Sequence, residues 1–226
     1  MDQKKWYRLD NAGKLYPSIA STRRSTVFRL SVKISKQVNP IHLQEALDQT
    51  ILRFPYYKVN LKRGLFWYYF EVVTHMPQVR PETHYPCMFL RFRQPKTFPF
   101  RVLYHNQYIH LEMSHSIADG HGALIFLKTL LLAYFHIEED VQSLELMGAK
   151  DINEEPDGEE YEDAFVRSYQ KGVPTIKRPP AALDFPCELM EKGTYSFLRG
   201  ISALDAVKCD AMGHNGSVRQ LLAAVY

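Results

Sequence analysis

The sequence of 226 residues predicts an α/β fold, a two-layer sandwich in which a mixed β-sheet carries its helices mainly on one face. Residues 26–34 alternate apolar and polar side chains, as a half-buried strand does. Two pairs of strand-like runs follow farther along the chain, each joined by a short turn. A long stretch with apolar residues at helical spacing begins after the second pair. Strands interleaved with helices are typical of the α/β class.

The first helix is predicted from its start signals. Asn39 can cap a helix with its side chain, and Pro40 suits the first helical turn. The helix should end near Phe54 and Pro55, because a proline disfavours the helical conformation of the residue before it. The positions expected at helical spacing are Ile41, Leu43, Ala46, Leu47, Thr50 and Ile51.

Two β-hairpins are predicted after this helix. Their turns are expected at residues 62–64 and at Asn106-Gln107, which are typical turn residues between apolar runs. The aromatic residues 66–70 are expected to fill the sheet. The predicted strands are, in order, residues 56–61, 65–73, 98–105 and 108–113.

A buried helix is predicted to begin near Gly120. Its longest apolar run, residues 123–135, contains Lys128 and is too short to cross a bilayer, so no membrane span is expected. The residues of its predicted buried face are Ala123, Leu124, Leu127, Leu130, Leu131 and Tyr134.

Charge is distributed unevenly along the chain. Residues 138–163 contain 12 acidic residues and one basic residue, and this acidic stretch is predicted to be a mobile loop. The rest of the chain is basic, but its lysines and arginines are scattered, which is typical of a solvated surface and not of a nucleic-acid-binding patch. The three cysteines are widely spaced, so we expect a reducing, cytoplasmic location without disulfides.

The last part of the chain carries weaker signals. A strand is predicted near residues 194–201 and a helix over residues 202–212. A final helix is predicted from Ser217.

His115 lies where the second hairpin gives way to the buried helix, in the run His115-Ser116-Ile117-Ala118-Asp119-Gly120. A histidine at the end of a strand can project into a cleft and accept a proton near neutral pH, as a general base must. Asp119 is suited to fixing the loop by pairing with a cation. Gly120 removes a side chain where the backbone turns tightly or approaches a substrate.

This run resembles the His-x-x-x-Asp-Gly motif of the chloramphenicol acetyltransferase-like superfamily. That superfamily includes the condensation domains of peptide synthetases and alcohol acetyltransferases. Residues 124–134, 52–59 and 221–226 look most like bacterial proteins of the alcohol acetyltransferase type. Condensation domains often have two adjacent histidines, whereas here Ser114 precedes His115, which argues against peptide-bond synthesis.

The resemblance implies a function. In that family the motif histidine takes a proton from an alcohol or amine, which then attacks an acyl thioester, so His115 would be the base. The motif aspartate pairs there with an arginine from the first helix, which would be Arg53 with Asp119. We therefore expect an O-acyltransferase that moves an acyl group, most simply acetyl, from acetyl-CoA or another acyl-CoA to a small alcohol. Acyl-CoA would be a co-substrate and no cofactor would be bound tightly.

The resemblance also implies a domain organisation. The motif lies near mid-chain, as in the first lobe of two-lobed members, which bind the acyl donor between the lobes. Residues 1–202 would form this lobe, and residues 203–226 would begin a second lobe that is otherwise absent. The exposed docking face would favour self-association. The isolated chain would then be inactive unless the second lobe is supplied.

Other interpretations stay open on the sequence. His115 could be an ordinary loop histidine, and Arg53 a plain cation at a helix terminus. His110, His115, Asp119 and His121 are residue types that bind zinc or iron, but the odd spacing of His110 and His115 along a strand favours opposite faces, so no metal is predicted. The alternative function is a non-catalytic or truncated lobe used in binding or assembly.

Overall fold

A computed structural model describes residues 6–22, 24–92, 94, 96–139, 146–173, 181, 191, 194, 196 and 200–225. The strands in this part of the chain are β1 (Trp6–Arg8), β2 (Val27–Lys33), β3 (Val59–Arg63), β4 (Tyr68–Val72), β5 (Arg80–Pro81), β6 (Phe100–His105) and β7 (Tyr108–Ser114). The α-helices are α1 (Asn11–Ile19), α2 (Pro40–Arg53), α3 (Gly120–Glu139), α4 (Ala164–Ser168), α5 (Leu204–Gly213) and α6 (Val218–Val225). Short 3₁₀ helices cover Pro55–Tyr57 and Gly158–Glu160.

The strands form two open sheets. The larger has the order β2-β7-β6-β5, in which β5 and β6 are parallel and the other pairs antiparallel. The smaller has the order β1-β4-β3 and is antiparallel throughout. The predicted α/β class with a mixed sheet is confirmed.

The main core lies between the larger sheet and the helices α2 and α3. Leu43, Leu47 and Ile51 of α2 are fully buried in the same cluster as Phe126 and Leu130 of α3. The side chains that β6 and β7 contribute to it are Phe100, Val102, Ile109, Leu111 and Met113. By length and composition alone α3 could cross a membrane, but its buried face belongs to this core.

Most predicted elements agree with the structure, with a few local differences. The strand predicted from Tyr56 begins only at Val59, because Pro55 starts a 3₁₀ turn that takes up Tyr56 and Tyr57. Leu124, predicted to be buried, is 39% exposed on α3. Of the aromatic residues expected to fill the smaller sheet, Phe70 is buried, whereas Phe66 and Trp67 are exposed on the hairpin turn.

Two predicted segments, residues 194–201 and the acidic stretch 138–163, are described by the structure only in part. Of residues 194–201, the structure describes only residues 194, 196, 200 and 201, so the predicted strand lies largely outside the described residues. The acidic stretch carries a 3₁₀ helix at Gly158–Glu160, and the Glu160 side chain is anchored to the core by an ion pair. Residues 158–160 are therefore held in place by this contact, and mobility of the whole stretch over residues 138–163 stays a prediction.

The chain divides into two compact units, residues 1–181 and residues 182–226. The second unit contains α5 and α6, close to the two helices predicted there. A capping box starts α6, since Ser217 Oγ accepts a hydrogen bond from the Gln220 amide and Gln220 Oε1 accepts one from the Ser217 amide. Assignment of residues 203–226 to a second lobe stays a prediction.

A buried carboxylate joins strands β2, β7 and β6 of the larger sheet. Glu112 of β7 has no exposed side-chain surface and receives Arg29 Nε of β2 at 2.8 Å. Arg101 of β6 contacts the other oxygen, Oε2. The Cys87 amide donates at 2.6 Å to Oε1, the oxygen that Arg29 also contacts. Both Glu112 oxygens are therefore satisfied, which a buried carboxylate requires.

We expect Glu112→Ala to lower the free energy of unfolding by about 3–5 kcal/mol, because it leaves two partly buried arginines without their shared partner. Urea unfolding followed by circular dichroism measures this. The matched control is Glu71→Ala, since Glu71 is half-exposed and pairs only with Lys62 at 3.3 Å. The control should cost no more than about 1 kcal/mol. Equal losses in the two variants would contradict a stabilising role for the buried cluster.

Candidate functional site

His115 is held where the larger sheet ends. The last amide of β7, that of Ser114, donates to the Pro99 carbonyl at 2.8 Å. The next amide, that of His115 itself, donates to the Thr26 carbonyl just before β2, at 3.0 Å. The backbone of His115 is therefore anchored on the sheet, and the predicted position between a strand and the helix from Gly120 is confirmed.

The His115 ring lies between two aromatic rings. Tyr16 of α1 stacks on it with ring centres 4.9 Å apart and planes 19° apart. Phe28 of β2 lies 4.3 Å away, tilted by 34°. Contact on both faces restricts rotation of the imidazole, so its nitrogens point in a defined direction.

Helix α1 also contacts the loop after His115. A Cβ atom placed on Gly13 would lie 2.7 Å from the Ser116 carbonyl oxygen, too close for any larger residue without movement of the backbone. Ile117 packs against the small apolar cluster that contains Leu9. Gly13 and Tyr16, three residues apart, share the side of α1 that faces Ser116 and His115, and Leu9 lies just before the helix.

The turn itself is stabilised by local hydrogen bonds. Ser114 Oγ and Ser116 Oγ are 2.8 Å apart, and the Ile117 amide donates to the Ser114 carbonyl at 3.1 Å. Asp119 Oδ1 accepts from the Gly122 amide at 2.8 Å, in the manner of an N-cap for α3. Asp119 therefore has a structural role, although its side chain is exposed.

The partner expected for Arg53 is corrected by the structure. Its Nη1 and Nη2 atoms bind both oxygens of Glu160, at 2.9 and 2.8 Å, and the described residues show no ion pair between Arg53 and Asp119. Arg53 is buried at the end of α2, so it requires a close carboxylate, and Glu160 supplies one with bidentate geometry. Asp119 is instead occupied at the N-terminus of α3.

Glu160 is the centre of a small network. Tyr56 donates to it at 2.8 Å, and Lys150 Nζ lies 3.1 Å away. The Arg53 hydrogen bonds lower the pKa of Glu160 to about 2, so it is ionised at neutral pH. Burial raises the pKa of Tyr56 and of Tyr57, and both remain protonated.

Gly120 lacks the backbone strain that the sequence suggested. Its φ is not positive, and a Cβ placed on it would meet no atom within 4 Å. The described residues therefore give no steric reason for glycine at this position, and approach of a substrate stays a prediction.

A cleft of about 420 Å³ opens beside His115. Aromatic side chains line the cleft. Its described lining residues also include five carboxylates and one arginine, Arg8. Glu160 and Glu162 of this group are paired with cations. The aromatic residues are Tyr7, Tyr16, Tyr56, Tyr57, Phe70 and Tyr161, and the carboxylates are Asp10, Asp119, Glu160, Glu162 and Asp163. The cleft has the size of a small-molecule site.

A larger cavity of about 1010 Å³ contains none of the motif residues. Its basic lining residues are His75, Arg80, His84, Arg91, Lys96 and Arg101, and none of the described lining residues is a carboxylate. The two cavities therefore differ in the sign of the charge that they present.

The other motif-region histidine, His110, lies in a different environment. Its Nδ1 is 2.8 Å from Ser31 Oγ, and its Nε2 is 3.5 Å from Glu82. Burial lowers the pKa of His110, which favours its neutral form. In the part of the chain that the structure describes, no group of three His, Cys, Asp or Glu residues is arranged to hold a metal ion.

Tyr16, Gly13, Phe28 and Glu160 are site residues that the sequence did not identify. Helix α1 is hard to predict from the sequence because Gly13 and Pro17 lie inside it, although Leu9, Gly13 and Tyr16 are spaced four and three residues apart, as in a helix. Glu160 has no local feature that distinguishes it from the eleven other acidic residues around it.

Solved structures with similarity to this chain include condensation domains. The starter condensation domain of rhizomide synthetase RzmA is similar with a TM-score of 0.50 and 12% identity, over 63% of this chain and 40% of that chain. A mutant of that domain in complex with C8-CoA gives 0.48 and 16%, over 62% and 38%. Polyketide synthase associated protein 5 from Mycobacterium tuberculosis gives 0.44 and 14%, over 60% and 34%. The chain matches no protein-family model and no curated protein sequence.

The first of these similarities confirms the predicted resemblance at the level of the fold. The chain has a condensation-domain-like fold. It spans 40% of the length of that condensation domain. Activity, substrates and partners are therefore the subject of a proposal.

We expect Glu160→Gln to destabilise the protein by about 3 kcal/mol, because it leaves the buried Arg53 without a counter-charge. Folding lowers the pKa of Glu160 from 4.5 to about 2, so its stabilisation is fully present above pH 4.5 and is lost as the pH falls towards 2. The variant should therefore show a shallower loss of stability over that range. Urea unfolding at a series of pH values measures both effects.

The matched control is Glu159→Gln, whose carboxylate is 69% exposed and pairs with Arg167 on the surface. It should change the free energy of unfolding by no more than about 1 kcal/mol. If both variants keep the stability of the parent chain, Glu160 does not anchor Arg53.

Proposed function

We propose that the chain is the catalytic lobe of a CoA-dependent O-acyltransferase, with His115 as general base. The observation that carries the proposal is the position of His115, fixed at the end of β7 and lining a cleft of small-molecule size. A histidine that lines a cleft and is held on both ring faces has the orientation that proton transfer requires.

In the proposed reaction the acceptor hydroxyl binds beside the His115 imidazole. Its oxygen attacks the carbonyl carbon of the acyl thioester while its proton passes to an imidazole nitrogen. The tetrahedral intermediate then collapses, the carbon–sulfur bond breaks, and the CoA thiolate takes the proton from the imidazolium. The aromatic faces of Tyr16 and Phe28 attract the imidazolium, which exists only after proton transfer.

The charges of the lining side chains support the proposal that the acceptor binds in the cleft beside His115. The carboxylates around it disfavour the phosphates of CoA, whereas a small alcohol is uncharged. The larger cavity has basic side chains and no carboxylate among its described lining residues, which is the charge that a phosphate-bearing donor requires. We therefore propose acetyl-CoA or another acyl-CoA as the donor and a small alcohol as the acceptor.

The test is release of free CoA thiol when a two-lobed version of the protein, with the second lobe that the resemblance implies, is mixed with acyl-CoAs of increasing length and a panel of alcohols. His115→Ala should lower turnover by at least about 10²-fold, the usual contribution of a positioned base. Acyl-CoA binding, followed by calorimetry, should stay nearly unchanged. The matched control is His121→Ala, since His121 is exposed at the start of α3 and should tolerate the change.

Two results would contradict this mechanism. Full turnover by His115→Ala would remove the base from the proposal and favour a non-catalytic lobe used in binding or assembly. An acyl group trapped on Ser114 or Ser116, detected by mass spectrometry, would show a covalent intermediate. Direct attack predicts that no acyl-enzyme accumulates.

A further inference from the structure

The turn between β3 and β4 presents three consecutive large apolar side chains to solvent. Leu65, Phe66 and Trp67 are 93%, 87% and 62% exposed. The Gly64 amide donates to the Trp67 carbonyl at 2.7 Å and closes the turn, so the three residues form the tip of a defined hairpin. Exposing such a group to water is unfavourable, and contiguous exposed apolar residues mark a surface that contacts something less polar.

Cations and tyrosines follow directly behind this tip. Arg63 pairs with Tyr68 in the first row of the hairpin. Lys62 of β3 and Arg8 of β1 flank Tyr69 in the next row. Glu71 of β4 lies farther from the tip and pairs with Lys62 at 3.3 Å. We call Lys62, Arg63, Arg8, Tyr68 and Tyr69 the collar.

An apolar tip with a collar of this kind has the chemistry of a lipid–water interface. Trp, Phe and Leu side chains enter the boundary between headgroups and acyl chains, while tyrosines favour the headgroup level. Lysine and arginine just outside that boundary are attracted to anionic headgroups. A protein partner would also cover an apolar tip, but the three cations of the collar favour a negatively charged surface.

We propose that the β3–β4 hairpin docks on an anionic lipid surface, with Leu65, Phe66 and Trp67 entering the interface and the collar contacting the headgroups. The contact is peripheral and needs no membrane span. The smaller sheet that bears the hairpin also lines the cleft, through Tyr7, Arg8 and Phe70.

The reporter is Trp67 in the Trp6→Phe variant of the whole chain, which has two tryptophans. It is titrated with vesicles of phosphatidylcholine and phosphatidylserine in equal amounts, and with vesicles of phosphatidylcholine alone. We expect Trp67 emission to shift to the blue on the anionic vesicles, with an affinity at least about 10-fold higher than on the neutral ones. High salt should abolish the difference, because the collar acts through screened charges.

Two variants test the residues involved. Leu65→Ser with Phe66→Ser should lose vesicle binding in a sedimentation assay, and Arg63→Glu should lose the preference for anionic vesicles. The matched control is Ile41→Ser with Leu52→Ser, which removes two apolar side chains that are 75% and 67% exposed on α2. The control should bind as the parent chain does.

Several outcomes would overturn the proposal. These are an unshifted Trp67 emission, equal affinity for both kinds of vesicle, or equal binding by the tip variant and its control. Oligomers in light scattering that the tip variant dissociates would assign the tip to a second copy of the chain. Since no readout depends on acyl transfer, failure here leaves the proposed function standing, and an inactive chain leaves this proposal standing.

Discussion

Strand β7 is hydrogen-bonded along both edges, to β2 on one side and to β6 on the other, and this double pairing fixes the point at which it ends. The first residue of β2, Val27, pairs with the last residue of β7, Ser114. The Pro99 carbonyl then accepts a hydrogen bond from the Ser114 amide, and the Thr26 carbonyl accepts one from the His115 amide. His115 therefore leaves the sheet at a position that is set by the register of the whole strand, which gives a functional residue a more precise place than a free loop would.

Local signals accounted for most of the fold. Asn39 and Pro40 start α2 as predicted, and Asn106 adopts a φ of 50° in the turn between β6 and β7, a conformation that asparagine tolerates well. Helix α1 was missed because Gly13 and Pro17 both lower helix propensity. Gly13 is there for a contact with the Ser116 carbonyl, a constraint that no window of local sequence contains.

The site was predictable only where a motif marked it. The position of His115 between β7 and α3 was predicted from the strand and helix patterns on either side of it, but its surroundings come from three distant segments that contribute Tyr16, Phe28 and Glu160. The pairing of Arg53 with Asp119 came from resemblance, and the structure gives Glu160 instead. Nothing local separates one carboxylate of an acidic run from another, because only the tertiary fold decides which one meets a buried arginine.

The ion pair between Arg53 and Glu160 spans 107 positions of the chain. Closing a loop of that length has an entropic cost, and contacts between distant positions generally form after local ones. The segment around Glu160 thus joins a sheet and helices that can assemble without it. It is attached by the polar contacts of Glu160 and by the Tyr161 ring, whose centre lies 6.0 Å from that of Tyr7 and 5.7 Å from that of Tyr56. One wall of the cleft is therefore built from contacts that close long loops, and we expect this wall to form late in folding.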